Sequence, residues 1–200
     1  MKVLDLGCGD GLTPQKLNFL ADGQIIGVDI NYAALAKAEA NFPQRTFLCS
    51  AGEELPFRDC SFDRVICNVA LPYMQIAKAL QEVYRVLVPG GTLFASLHPL
   101  SFTLSELRAV YLRNPKAALY RCWVLANGIV FHLSGRNFGE AFQTERGIRI
   151  ALRRADFSDV SLGHDSKRWF VEAAKPVSQG IPSPERISTD ANPRTANQAG

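Results

Sequence analysis

Apolar positions along this chain fall into two rhythms. Unbroken apolar runs at Val3–Leu6, Gln24–Asp29, Arg45–Cys49, Arg64–Cys67 and Thr92–Leu97 read as short buried strands. Between them the spacing turns helical: Leu12–Leu20 and Tyr32–Asn41 are helix-compatible, and Ile76, Ala77, Leu80, Val83, Tyr84 and Leu87 line one face of a helix that Pro89-Gly90-Gly91 terminates. Strand and helix alternate, which predicts an α/β fold.

Beyond Thr92–Leu97 the pattern is less regular. Leu104, Leu107, Val110 and Tyr111 predict a helix, and aromatics crowd the stretch from Tyr120 to Phe142, Trp123, Phe131 and Phe138 among them. Residues 100–143 read as an insertion covering a site, or as additional core. Thr144–Ala155 is a basic helix, and Phe157–Val160 with Trp169–Ala174 reads as a closing antiparallel pair. Pro176–Gly200 holds four prolines and no aromatic residue, the composition of a disordered tail, so a single domain over 1–175 is expected.

Composition narrows the class. With 47% apolar and 20% charged residues, 200 residues suffice for a full three-layer core. The net charge of +3 is spread out apart from pairs such as Arg153-Arg154 and Lys167-Arg168, which argues against a nucleic-acid stripe. Five cysteines without a C-x-x-C pair argue against zinc; several lie in apolar runs, as small hydrophobes in a reducing cytoplasm would. No apolar run approaches the ~18 residues of a membrane span.

The chemistry concentrates at the start, in Val3-Leu4-Asp5-Leu6-Gly7-Cys8-Gly9-Asp10-Gly11. A glycine turn between strand and helix is a nucleotide-type site, because backbone N–H groups converge there. The dinucleotide fingerprint G-x-G-x-x-G is not met, since Leu12 stands at the third glycine. Asp5 and Asp10 would repel a pyrophosphate and attract a cation. Asp29, 18 residues past Gly11, ends the second strand where an acid meets ribose hydroxyls, although it could equally cap the next helix.

These residues resemble the first motif of the class I S-adenosylmethionine (SAM)-dependent methyltransferases. Glu54-Leu55-Pro56-Phe57 with Ser61-Phe62-Asp63, and Glu82-Val83-Tyr84-Arg85-Val86-Leu87-Val88-Pro89-Gly90-Gly91, extend the resemblance to about His98, towards the ubiquinone and menaquinone branch. It implies a Rossmann-like three-layer sandwich, strand order 3-2-1-4-5-7-6, mostly parallel with an antiparallel strand near the C-terminus. It also implies a SAM site formed by Asp5, Gly7, Cys8, Gly9 and Gly11, by Asp29 on the ribose, by Ile30 beside the adenine and by Asn68 near the methionine part. Ala51 departs from the branch, which usually has an acid there; the backbone at Gly52, or Glu53, would then read the adenine. Tyr73 is either packing or an acceptor contact. His98, at the ligand-side end of a strand, is either a general base or structural.

The resemblance implies methyl transfer by direct displacement to an oxygen or carbon of a small-molecule acceptor, with no metal, nucleic-acid partner or stable membrane insertion, in the cytoplasm. Alternatives are SAM binding without turnover, methylation of RNA or protein, and an NAD-dependent oxidoreductase. Family members normally carry one or two helices before the first strand; starting at Val3 implies an unusually open site or a shortened chain.

Overall fold

The apolar runs pair into one sheet because each is too short and too apolar to stand alone. In a computed structural model describing residues 1–17, 23–110, 114–164 and 169–177, the strands are β1 (Lys2–Leu6), β2 (Gln24–Asp29), β3 (Thr46–Cys49), β4 (Phe62–Cys67), β5 (Leu87–Leu97), β6 (Ser158–His164) and β7 (Trp169–Ala174). Their order is β3-β2-β1-β4-β5-β7-β6, the expected one. β7 slots between β5 and β6 and runs antiparallel to both, while the remaining pairings are parallel.

The helices are α1 (Thr13–Lys16), α2 (Tyr32–Asn41), α3 (Ile76–Val86), α4 (Leu100–Val110), α5 (Pro115–Ser134) and α6 (Glu145–Arg154). The chain moves from β1 to β3 in one direction across the sheet and from β4 to β5 in the other. Right-handed crossovers therefore place α1 and α2 on one face and α3 on the opposite face, giving three layers. On the α3 side Leu4, Leu6, Val28, Val65 and Leu93 form a continuous core with Ile76, Leu80, Val83, Ile148 and Leu152. The predicted helix over Leu12–Leu20 is described only through Lys16; residues 18–22 lie outside the described residues, as does the predicted tail from residue 178 onward.

Two expectations change. Pro89-Gly90-Gly91 does not terminate α3, which stops at Val86; it sits within β5 as a bulge, with Leu87 paired to Phe62 and Thr92 to Arg64. Lys175 explains the early stop. Its Nζ donates to the carbonyls of Tyr84 (2.9 Å) and Leu87 (2.7 Å), and its backbone exchanges hydrogen bonds with Gly90 and Gly91. The cysteines also divide: Cys8 and Cys67 are buried, but Cys49, Cys60 and Cys122 are exposed free thiols.

The Leu55-Pro56-Phe57 turn is held by side chains of α3. Arg85 donates to the carbonyls of Leu55 and Phe57 and to Asp59 and Glu82, while Glu82 accepts from Leu55 N–H at 2.8 Å. The aromatics of 120–142 split between two roles, with Phe131 and Phe142 in the core and Tyr120, Trp123 and Phe138 exposed.

Candidate functional site

β1 hands the chain to a turn in which Gly7, Gly9 and Gly11 have φ of +71°, +53° and +79°. At Gly7 a side-chain carbon would sit 2.1 Å from Cβ of Ala70, so only glycine fits. Around Gly9 that same position is open space. The turn's amides are spent internally: Gly7 and Cys8 both donate to the Val28 carbonyl, Gly11 donates to the Cys8 carbonyl, and Gly9 donates to Asp29 Oδ2 at 2.8 Å. Three of the donors anticipated at this junction, those of Gly7, Cys8 and Gly9, are thus used to bind the turn to β2.

Beside the turn lies a cavity of about 270 Å³ at the C-terminal ends of the strands, where open α/β sheets hold ligands. Gly7, Asp29, Ile30, Ala51, Gly52 and Glu53 line it, together with Leu6, Val28, Ser50, Ala70, Tyr73 and Met74. Asp5, Cys8, Gly9, Gly11, Asn68 and His98 do not. Cys8 is buried, and burial pushes its thiol far up. Asn68 accepts a 2.7 Å hydrogen bond from Ser96. Ala70 and Met74 escaped the sequence reading because they reach the cavity only through tertiary packing: a side chain at Gly52 would lie 2.6 Å from Met74 sulfur.

Asp29 is fixed from both sides, Oδ2 by Gly9 N–H and Oδ1 by Asn31 N–H, each at 2.8 Å. Every carboxylate oxygen keeps a second acceptor lobe, so both can still receive hydroxyls. Asp29 does not cap α2; that role belongs to Asn31, whose side chain accepts from Ala34 N–H. Glu53 accepts from Gln75 N–H at 2.7 Å with one oxygen, tying the cavity wall to the start of α3.

Asp5 and Asp10 border the cavity less directly than their sequence positions suggest. Asp10 Oδ1 accepts from Leu12 N–H at 3.3 Å. Asp5 lies within β1, fully buried, with one carboxyl oxygen lacking any partner among the described residues. Burial raises its pKa to about 7, opposed by the Arg45 charge and a Thr13 hydrogen bond and reinforced by Asp29 and Asp10. The carboxylates on the cavity wall are therefore Asp29 and Glu53, and they still favour a cation over a pyrophosphate.

His98 lines a neighbouring cavity of about 350 Å³ with Val69, Leu97, Pro99, Ser101, Phe102 and Ser105. Tyr73 links the two cavities: it lines the first and meets the His98 ring edge-on at 5.7 Å. Phe102 of α4 also packs against the imidazole, ring centroids 4.5 Å apart. Burial lowers the His98 pKa, opposed by the nearby Glu140 and Glu106 carboxylates, so the ring is neutral near pH 7. Its backbone is doubly bonded to the buried Gln143, which the sequence reading did not single out: His98 N–H donates to the Gln143 side chain and Gln143 N–H donates to the His98 carbonyl.

The arrangement fits a nucleoside bearing a positive charge: paired acceptors on Asp29 suit a diol, Ile30, Ala51 and Met74 offer an apolar slot, and the remaining charge is negative.

Residues 4–95 match the family model described as a methyltransferase domain. An uncharacterized methyltransferase of Synechocystis is 41% identical over 95 residues, 45% of this chain and 43% of that protein. A malonyl-[acyl-carrier protein] O-methyltransferase of Erwinia billingiae is 38% identical over 112 residues, 55% of this chain and 43% of the relative. The chain thus spans under half the length of these two relatives. Among solved structures, a Methanosarcina mazei protein described as a SAM-dependent methyltransferase superposes with a TM-score of 0.61 at 22% identity, covering 88% of this chain and 92% of the other, a likeness of fold.

Proposed function

We propose that the chain, whose residues 4–95 match a methyltransferase-domain model, is a class I SAM-dependent methyltransferase and methylates an oxygen or carbon of a small-molecule acceptor held between the Tyr73 and His98 sides of the two cavities. The observation that carries this reading is Asp29: a carboxylate on the cavity wall, aligned by Gly9 and Asn31, with an acceptor lobe left on each oxygen.

SAM, when bound, supplies an electrophilic methyl group on a sulfonium. Asp29 holds the ribose hydroxyls, Ile30 and Ala51 flank the adenine, Gly52 and Glu53 read its edge, and the carboxylates of Asp29 and Glu53 favour the cationic ligand. Gly7, Cys8, Gly9 and Gly11 set the turn that holds Asp29, and buried Asp5 precedes it on β1, hydrogen-bonded to Thr13. Asn68, tied to Ser96, fixes the end of β4 for the methionine part. Displacement at a sulfonium asks chiefly for alignment and exclusion of water, and positioning is worth up to ~7–11 kcal/mol. His98, neutral near pH 7, accepts the acceptor's proton, and Tyr73 and Phe102 keep its ring in place. Helices α4 and α5 of the 100–143 stretch cover the acceptor side.

The test is calorimetry with SAM and S-adenosylhomocysteine, followed by transfer of labelled methyl to a panel of hydroxyl, activated-carbon and amine acceptors. Binding of both ligands with transfer to hydroxyl or carbon acceptors is the expected result. Failure of both ligands to bind overturns the proposal, a fluorescence response to NADH restores the oxidoreductase alternative, and transfer only to RNA or protein replaces the acceptor class.

A further inference from the structure

Helix α5 is apolar on two sides, one buried through Val124 and Phe131 and one exposed. Leu119, Trp123, Ile129, Val130 and Leu133 are 41–74% exposed and fall within about 120° of the helix circumference at 3.6 residues per turn. On the inner side Arg121 is occupied by ion pairs to Glu106 and Glu140. No Asp or Glu occurs in α5. Because α5 already buries Val124 and Phe131 on its inner face, its outer face should be polar if it met only water, and the exposed apolar stripe departs from that. Contiguous exposed apolar surface of this kind marks a contact site.

Positive charge flanks the stripe. Arg146, Arg149 and Arg153 of α6 line an open groove of about 720 Å³ with His132, the residue preceding Leu133 on α5. Arg154 donates to the Ser134 carbonyl and locks α6 to the end of α5. Glu145 is the one acid in that groove, and Arg149 takes its carboxylate at 3.0 Å. Tyr120 and Trp123 stack at 5.9 Å along the stripe's other border.

We propose that the apolar face of α5 and the α6 arginines together form a docking surface for an anionic lipid bilayer, with α5 lying parallel to the interface. A second copy of the chain suits this face less well, since a two-fold contact through α5 would bring two arginine rows together. A groove-seeking peptide suits it less well too, because Leu119, Trp123, Val130 and Leu133 line none of the cavities described. A convex apolar ridge beside cations, bordered by tryptophan and tyrosine, matches the headgroup boundary. No described helix is long and apolar enough to cross a membrane, so the contact is peripheral.

Co-sedimentation of the full chain with phosphatidylcholine vesicles, and with vesicles containing equal phosphatidylglycerol, tests the proposal without cofactor or acceptor. Binding to the anionic vesicles alone is expected, weakening about 30-fold in Arg146→Gln/Arg153→Gln as two surface cations are lost, and disappearing in Trp123→Glu/Val130→Glu. Circular dichroism checks that each variant is folded; Leu119→Glu, at the most exposed position, repeats the apolar test if the paired variant is not. No binding to anionic vesicles overturns the proposal, as does equal binding to both vesicle types. A dimer that Val130→Glu dissociates, or retention on an acidic peptide resin, in either case without vesicle binding, assigns the face to a protein instead.

Discussion

Asp29 offers the sharpest test of the site because it has two jobs that can be separated. Its carboxylate receives Gly9 N–H and Asn31 N–H, so Asp29→Ala unties the glycine turn from β2 and loosens the start of α2. Hydrogen bonds to a charged group contribute ~1.5–3 kcal/mol when buried; for this half-buried pair a combined loss of ~2 kcal/mol is expected. In a domain of this size that lowers Tm by ~4–8 °C. Asp29→Asn keeps one acceptor oxygen and substitutes an NH₂ donor for the other. It should retain one of the two backbone bonds, lower Tm by about half as much, and still lose one acceptor for a diol. Cofactor affinity should therefore fall by ~1.5–3 kcal/mol in Asp29→Ala, about 10- to 150-fold in Kd, and nearly as far in Asp29→Asn. Calorimetry with S-adenosylhomocysteine reads the affinities and differential scanning calorimetry the stabilities. Unchanged affinity in Asp29→Asn, with the Tm loss present, would refute the ribose role and leave Asp29 as a tie for the turn.

Asp5 makes a pH prediction. Burial holds its carboxyl at about 7 in the folded chain, above the ordinary 3.8, so the folded state binds the extra proton between those values. Stability should fall as pH rises from about 4 to about 7 and then level off, by an amount on the order of 4 kcal/mol, and Asp5→Asn should flatten this slope in urea melts. His98→Ala should lower turnover ~10²–10⁴-fold while leaving S-adenosylhomocysteine affinity within about twofold. The acid limb of the wild-type rate profile should lie below the ordinary histidine value of 6.5. Gly7→Ala, which drives a Cβ into Ala70 at positive φ, should cost ~1–3 kcal/mol of stability and displace the Gly7 side of the cavity, checked by thermal melts and cofactor titration.

Strand and helix placement were legible because strand after strand is an apolar run bounded by glycine, proline or acid, whereas the sheet order came only from the family resemblance that the motif pieces carry. Asp29, Ile30, Ala51 and Glu53 were legible for the same reason: each stands at or just beyond a strand end, where position in sequence dictates position in space. What sequence spacing could not show is competition for hydrogen bonds. Asp29 and Asn31 are both good helix caps two residues apart, and only the path of the chain gives the cap to Asn31. The glycine amides looked free for a ligand until Val28, Asp29 and Cys8 claimed those of Gly7, Gly9 and Gly11. Pro89-Gly90-Gly91 reads as a helix stop by local rules, but Lys175, 84 residues past Gly91, supplies the carbonyl partners that end α3 earlier. The aromatics of 120–142 carry no signal separating Phe131 from Trp123, since which side of α5 faces inward depends on its packing against Phe142 and Gly147, which lie beyond the helix in sequence.

The insertion of β7 between two strands made before it shapes how the chain can be synthesised. Once translation passes His164, β5 presents one unpaired edge and β6 has no neighbour to hold it. An unpaired apolar edge is a template for strands of other nascent chains. Trp169 closes both gaps together, pairing with Leu97 on one side and His164 on the other. The polypeptide therefore stays open to misassociation from the completion of β5 until Ala174 has emerged. Chaperone dependence should track that interval of synthesis more closely than the stability of the finished fold.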